Sequence, residues 1–364
     1  HLASGWGAKS PEFCRILIEA YPGSEQYTKN RGSLPFHCAC YRGTVATAEY
    51  LYKLYPDAIN MADADGRYPI NYAIDGIGKR NDLATAIEMV RFLLDCDPNV
   101  ALQEVRGRFP LVMVCIIASS TSNTTSTLNA FLEVTQLLYD AHPEAIESNE
   151  VSSNLRRFPQ PQEIQTFINT QLAYARQSRD HRLMTTPDES GQLPLHRALR
   201  DNVTLGSIKL LVRGNPSAVQ TTDNSGAFPL LIACQHHDSA KVVQYLLVRH
   251  STTLRAVDYD NNTALHYACR GAKHNTIGLL LEKYDAVSVS KRNAQNKLPI
   301  DLLWESDVLR DKEGIEYTES VYRLIRAFPE TLLDSILSPF KNTVFAFSTF
   351  SINQNTGSLV EKSK

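Results

Sequence analysis

His37-Cys38-Ala39-Cys40, inside the string GSLPFHCAC at 32–40, places one imidazole and two thiols within four positions. Imidazole nitrogen and thiolate sulfur are the preferred ligands of zinc, and a cysteine near a histidine is also the raw material of an activated nucleophile. His236-His237 beside Cys234 offers a second set of the same atoms. Either chemistry requires the side chains to converge on one point, since zinc holds nitrogen and sulfur at about 2.0–2.3 Å. The elements that carry these residues decide whether they can.

The string recurs along the chain. It returns as GRYPINYAI from Gly66, GRFPLVMVC from Gly107, GQLPLHRAL from Gly191, GAFPLLIAC from Gly226, NNTALHYAC from Asn261 and QNKLPIDLL from Gln295. Its proline position falls at 35, 69, 110, 194, 229, 264 (an alanine) and 299, in steps of 34, 41, 84, 35, 35 and 35. A second marker keeps the same phase: an apolar pair, three residues, then a proline, at Leu17-Ile18…Pro22, Leu51-Tyr52…Pro56, Leu93-Leu94…Pro98, Leu138-Tyr139…Pro143, Leu211-Val212…Pro216 and Leu324-Ile325…Pro329. A period near 34 is the signature of a repeat array. His1-Leu2-Ala3 reads as the end of the same His-x-Ala motif, so the first repeat is partial. Within a repeat, Val242, Val243, Leu246 and Leu247 share one helical face, and TIGLLLEKY from Thr276 is patterned likewise. One such helix cannot cover its own apolar face. Burial stabilises a Leu or Val by roughly 1.5–3 kcal/mol, so stacking of neighbours holds the array together.

Over residues 1 to about 334 the chain resembles the ankyrin-repeat family, whose repeats of about 33 residues carry Thr-Pro-Leu-His-x-Ala at the start of the first helix. His37, His196 and His266 match its histidine. The resemblance implies an all-α ankyrin-repeat solenoid of stacked helix-turn-helix units joined by short β-turn or hairpin connections. A partial repeat covers 1–28, and further repeats start near 29, 63, 104, 188, 223, 258 and 293. Two departures stand out. Leu34, Tyr68, Phe109, Leu193, Phe228 and Leu298 replace the threonine, and only Thr263 keeps a capping hydroxyl, which predicts weaker caps in most repeats. Proline stands where the family has glycine after the second helix; it also stops a helix.

The phase of the motif answers the question about chemistry. Equivalent residues in successive repeats sit on packed helices about 8–10 Å apart, too far to share a metal ion, and a Cys234–Cys269 bridge would need Cα atoms within about 7 Å. His37, His196 and His266, like Cys40, Cys115, Cys234 and Cys269, therefore read as packing residues. Seven cysteines without disulfide spacing fit a reducing compartment. Phosphate-loop, zincin, nucleophile-elbow and dinucleotide motifs are absent from the sequence; GIGKRN at 76–81 lacks the first glycine of a phosphate loop. No catalytic, metal or cofactor residues are expected. A net charge of −2 gives no electrostatic reason for nucleic acid. The longest apolar run, 111–118, is too short to cross a bilayer, and no secretory pattern opens the chain. The expected location is cytoplasmic or nuclear.

Recognition of another protein is then the expected function. The resemblance places a partner against the concave face formed by turn tips and first-helix ends. The turn-tip candidates are Arg67, Arg108, Gln192, Asn224, Tyr259 and Lys297; the first-helix candidates are Trp6, Tyr41, Arg42, Asp75, Arg200, Asp201, Gln235, His236 and Arg270. Trp, Tyr and Arg dominate interface hot spots. A regulatory or targeting piece of a larger multidomain enzyme or channel is the alternative, and a metal-dependent enzyme the lesser one. Two breaks interrupt the period. DGIGKRND and the Ser/Thr-rich SSTSNTTST at 119–127 read as flexible loops between helices. Residues 150–187 lack the His-x-Ala motif and read as a degraded repeat or an insertion, with Ile164, Phe167, Ile168 and Leu172 marking one amphipathic helix. Residues 335–364 lose the pattern and are expected to be partly disordered, with Phe345, Phe347 and Phe350 as a possible docking segment.

Overall fold

The computed structural model describes residues 11–29, 31–79, 82–120, 124–147, 153, 160–283, 289–306, 315–327, 350–352 and 359–361. The chain forms two compact units, His1–Thr186 with Val203–Pro216, and Pro187–Asn202 with Ser217–Lys364. The described residues are helices and turns, apart from an isolated bridge between Val105 and Arg108 and an antiparallel strand pair, Phe350–Ile352 with Leu359–Glu361. That pair lies in the segment expected to be partly disordered.

Five repeats open on a turn built by one side-chain oxygen. Asp63, Asp188, Asp223, Asp258 and Asn293 each accept, on one side-chain oxygen, the backbone N–H groups two and four residues on, at 2.7–3.0 Å. The chain then reverses through a left-handed residue three places on, Gly226 at φ 79°, or Asn261 and Asn296 at φ 60°. Tips of successive repeats are stitched by backbone bonds: Ala64 N–H to the Arg31 carbonyl at 2.8 Å, Asn224 to Ser190 at 3.1 Å, Tyr259 to Ser225 at 3.0 Å and Ala294 to Asp260 at 2.7 Å.

Proline follows at the first helical position, where its missing N–H costs nothing. The weaker caps expected from the loss of threonine are seen, since Leu34, Tyr68, Leu193, Phe228 and Leu298 make no side-chain capping bond whereas Thr263 Oγ1 accepts from the His266 N–H at 3.4 Å; the N-cap N–H itself is met from the other side. The third helical residue reaches back to the N-cap backbone N–H: His37 Nδ1 accepts from Leu34 at 3.1 Å, Asn71 Oδ1 from Tyr68 at 2.9 Å, His196 Nδ1 from Leu193 at 3.2 Å, His266 Nδ1 from Thr263 at 3.2 Å and Asp301 Oδ2 from Leu298 at 2.8 Å. The proline after the second helix does more than stop it. It starts a single 3₁₀ turn at Pro56–Asn60, Pro98–Leu102, Pro143–Glu147 and Pro216–Gln220.

In the first unit the first helices Pro35–Arg42, Pro69–Ile77 and Pro110–Ser120 pack in succession, as do the second helices Val45–Leu54, Leu83–Cys96 and Thr125–Ala141. Leu83–Cys96 shows the logic, burying Ala86, Met89, Val90, Leu93 and Leu94 on one stripe. Residues 121–123 of the Ser/Thr-rich segment lie outside the described residues, and the rest of it ends one helix and begins another. Ser119 and Ser120 end one helix and Thr125 starts the next. Thr124 is its N-cap, with Oγ1 accepting from Thr127 N–H at 3.2 Å. Thr124→Ala should therefore cost about 1 kcal/mol in urea denaturation, whereas Thr125→Ala, one residue into the helix, should change stability by less than about 0.5 kcal/mol.

The stretch without the motif contributes an 18-residue helix, Gln162–Arg179, and a short one, His181–Thr185. Residues 148–152 and 154–159 lie outside the described residues. Ile164 and Ile168 are buried and Phe167 and Leu172 partly so, as the spacing predicts. The long helix packs against both Thr125–Ala141 and Leu205–Gly214. Gln171 Oε1 accepts from Ser207 Oγ and from Thr204 Oγ1, and the Tyr139 ring meets Phe167 edge-on at 5.8 Å.

In the second unit, first helices Pro194–Arg200, Pro229–His236, Ala264–Arg270 and Pro299–Glu305 pack in succession. The second helices Ala240–Arg249, His274–Leu281 and Ile315–Ala327 do the same.

Candidate functional site

The residues with chemical potential are committed to the fold. His37, His196 and His266 are fully buried. A ring nitrogen that accepts an N–H carries no proton, so Nδ1 as acceptor leaves Nε2–H as the donor. His196 Nε2 reaches the Thr221 carbonyl at 3.0 Å, at the junction with the next repeat, and His266 Nε2 the Lys297 carbonyl at 3.1 Å, in the next repeat. The Met61 carbonyl lies beside His37 without completing that bond. Burial pushes all three imidazoles toward the neutral form, His266 down to about 4. The cysteines are free thiols, and Cys40, Cys115, Cys234 and Cys269 are buried. Burial raises the Cys115 thiol to about 12 and pushes Cys234 and Cys269 up as well, away from the reactive thiolate. His237, also buried, accepts the Ser239 N–H on Nδ1 at 3.1 Å. Among the described residues no group of three His, Cys, Asp or Glu is placed to hold a metal ion.

The predicted surface residues fall into two places. In the first unit Tyr41, Arg42, Arg67 and Asp75 come together. Arg42 lies 5.1 Å from the Tyr41 ring, Tyr41 meets Tyr72 edge-on at 6.3 Å, and Arg67 lies 4.7 Å from the Tyr72 ring while pairing with Asp75. Arg67 and Asp75 thus neutralise each other, and Arg42 is the exposed cation of the group. Arg108 stands apart, half-buried at the Val105 bridge. Trp6 lies outside the described residues.

In the second unit the first-helix ends form a row. Six places after the motif proline stand Arg200, Gln235, Arg270 and Glu305, and two places before it stand Gln192, Ala227, Asn262 and Lys297. These two positions meet across the turn at Asn262–Arg270 and Lys297–Glu305. Lys297 pairs with Glu305 at 2.6 Å, as Arg67 does with Asp75 in the first unit. The other arginines have no such acid. Arg270 reaches only the neutral Asn262 Oδ1 at 3.5 Å and lies over the Tyr267 ring at 5.6 Å. Gln192 is 5% exposed and turned inward onto Asp223 at 3.4 Å, which corrects its placement on the binding face and leaves Arg200 without its turn partner. Among the described residues the exposed Arg200 makes no ion pair or hydrogen bond.

The row is held in register by its neighbours. Asn202 Nδ2 donates to Asp238 Oδ2 at 2.6 Å, Asn202 Oδ1 accepts the Asp238 N–H at 3.0 Å, and Lys273 pairs with Asp238. Lys273 holds the Asp238 carboxyl below its usual range. A Cβ on Gly271 would overlap the Gln235 carbonyl oxygen, so these two helix ends are in direct backbone contact. His236, half-buried, is pushed down by burial and by Arg200 and Lys273 on either side, and is neutral at pH 7. Asp201, Asn224 and Tyr259 are exposed, Tyr259 at 77%. Sequence reasoning missed Asn202, Asp238, Lys273 and Glu305. Their spacing by about one period was the available signal.

A cleft of ≈ 280 Å³ opens between His274–Leu281 and Ile315–Ala327. Two pairs of its polar groups meet, with His274 Nδ1 2.8 Å from Ser320 Oγ and Arg323 Nε donating to Glu319 at 2.7 Å.

The helix pairs, the His-x-Ala cap and the stitched turn tips define an ankyrin-type repeat array. Residues 195–293 match the family model described as ankyrin repeats (3 copies), which supports an ankyrin-repeat protein. Such repeats are in general protein-interaction modules and are typically not enzymes. No helix among the described residues is long and apolar enough to cross a membrane.

Proposed function

We propose that this protein is a non-enzymatic binding module that holds another protein against the turn tips and first-helix ends of its second unit. One observation carries the reading: the imidazoles and thiols are committed to caps and core, while Arg200, Gln235 and Arg270 stand in a registered row and Asn224 and Tyr259 are exposed at the turn tips. Binding energy at interfaces concentrates in Arg and aromatic side chains of this kind. Arg42 and Tyr41 offer the same chemistry in the first unit.

Photo-crosslinking in native lysate tests the face. Benzoylphenylalanine in place of Tyr259, an exposed turn-tip ring, should give a discrete crosslinked species. The same residue in place of Val248, 79% exposed on a second helix, should give none. Crosslinks from position 248 alone would move the binding surface to the other side of the repeats.

A further inference from the structure

The charge pattern of the row specifies what it holds. The turn residue and the helix-end residue meet in three repeats, as Arg67–Asp75, Asn262–Arg270 and Lys297–Glu305, and where the helix-end residue is acidic the chain supplies the opposite charge itself. In the repeats that begin at Pro194 and Ala264 the helix-end residue is an arginine, and no carboxylate is supplied. Arg200 loses its turn partner to Asp223, and Arg270 has only an amide. Gln235 lies between them and is neutral. Two guanidinium groups, each able to bind a carboxylate in bidentate fashion, are therefore presented at a fixed separation. Helices in contact lie about 8–10 Å apart, so two arginines two repeats apart are on the order of 20 Å apart. An extended strand advances about 3.3 Å per residue and covers that span in about six residues.

We propose that the Arg200–Gln235–Arg270 row receives an extended acidic segment of the protein partner, with carboxylates about six residues apart on the two arginines and Gln235 bonding the backbone between them. This rests on the reading that a partner docks on this edge. A dense polyanion fits less well, because Asp201 and Asp238 flank the row and the whole chain carries a net charge of −2. Spaced carboxylates can avoid those two acids; a phosphate on every nucleotide cannot.

Fluorescence anisotropy on the full chain tests this with three labelled probes: a twelve-residue peptide with two Glu-Glu pairs six residues apart, the same peptide with Gln for Glu, and a twelve-nucleotide DNA strand. The Glu peptide is expected to bind at least tenfold more tightly than the Gln peptide. Arg200→Gln with Arg270→Gln should erase that difference while circular dichroism is unchanged. Arg200→Gln alone, at an exposed position, should remove about half of it on a logarithmic scale. Equal affinity of the two peptides, or a difference that survives the double substitution, overturns the acidic preference. DNA binding as tight as the Glu peptide and equally sensitive to the substitutions would overturn the peptide assignment. Equal peptide affinities alongside persistent crosslinks at position 259 would sink this inference and leave the docking face standing.

Discussion

Lowering the pH from 7 to 4 is expected to remove on the order of 3 kcal/mol of stability through His266 alone. Its folded value of about 4 lies below its ordinary 6.5, chiefly because the ring is buried. Between those two values the unfolded chain binds more protons than the folded one. Stability is thus fully present above pH 6.5 and drains away as the pH falls toward 4, at up to about 1.4 kcal/mol per unit. Protonation also places a hydrogen on Nδ1, which must face the Thr263 N–H it accepts from at 3.2 Å. His37 and His196 shift in the same direction for the same reason. The chain contains its own control, since Asn71 performs the same cap without titrating, at 2.9 Å. His266→Asn should keep the cap, lose the bond to the Lys297 carbonyl, and flatten the urea-midpoint curve between pH 6.5 and 4.5. A slope identical to that of the parent chain would show that His266 is not a source of the acid sensitivity.

Gly271→Ala is expected to cost about 2–3 kcal/mol, while Gly278→Ala, seven residues away, should be neutral or slightly stabilising. Gly271 is the C-cap of Ala264–Arg270 and Gly278 lies inside His274–Leu281, where alanine is the better helix former, and a methyl group would meet different neighbours at each. At Gly271 it overlaps the Gln235 backbone carbonyl, which cannot move without shifting the neighbouring repeat. At Gly278 it meets Arg323 Nη1, the far end of a flexible side chain that swings aside. Thermal denaturation of both variants checks the contrast. Equal destabilisation would mean that the helix ends are not in the close register described. Because Gly271 sits beside Arg270, the same substitution should also weaken the acidic probe, through displacement of the arginine rather than loss of its charge.

The architecture was legible because its period was written twice, in the motif proline and in the proline after the second helix. The amphipathic helix around Ile164 and Leu172 was legible for the same reason, as apolar spacing fixes a face wherever burial demands one. The caps were not. Inspection of Leu34, Leu193 and Leu298 finds no hydroxyl for the N3 N–H, and it does not show that the N-cap N–H is met from three residues on by His37, His196 and Asp301, the other bond of the capping box. The site was legible in position and not in orientation. Gln192 and Arg200 occupy equivalent places to Lys297 and Glu305, but Asp223 in the following repeat draws the Gln192 amide inward. Such choices depend on a neighbour 31 residues away, which spacing alone does not reveal. Composition did not show where the helix after the Ser/Thr-rich stretch begins, since Thr124 and Thr127 cap a helix as readily as they populate a loop.

The account turns on the motif histidines being structural caps, and nitrogen-15 NMR of the histidine rings in the full chain at pH 7.5 tests this most directly. His196 and His266 should show an unprotonated Nδ1 and a protonated Nε2, with shifts unmoved by one equivalent of zinc. A protonated Nδ1, or zinc-dependent shifts at these rings, would return them to the list of residues that do chemistry and contradict the assignment of function to the surface.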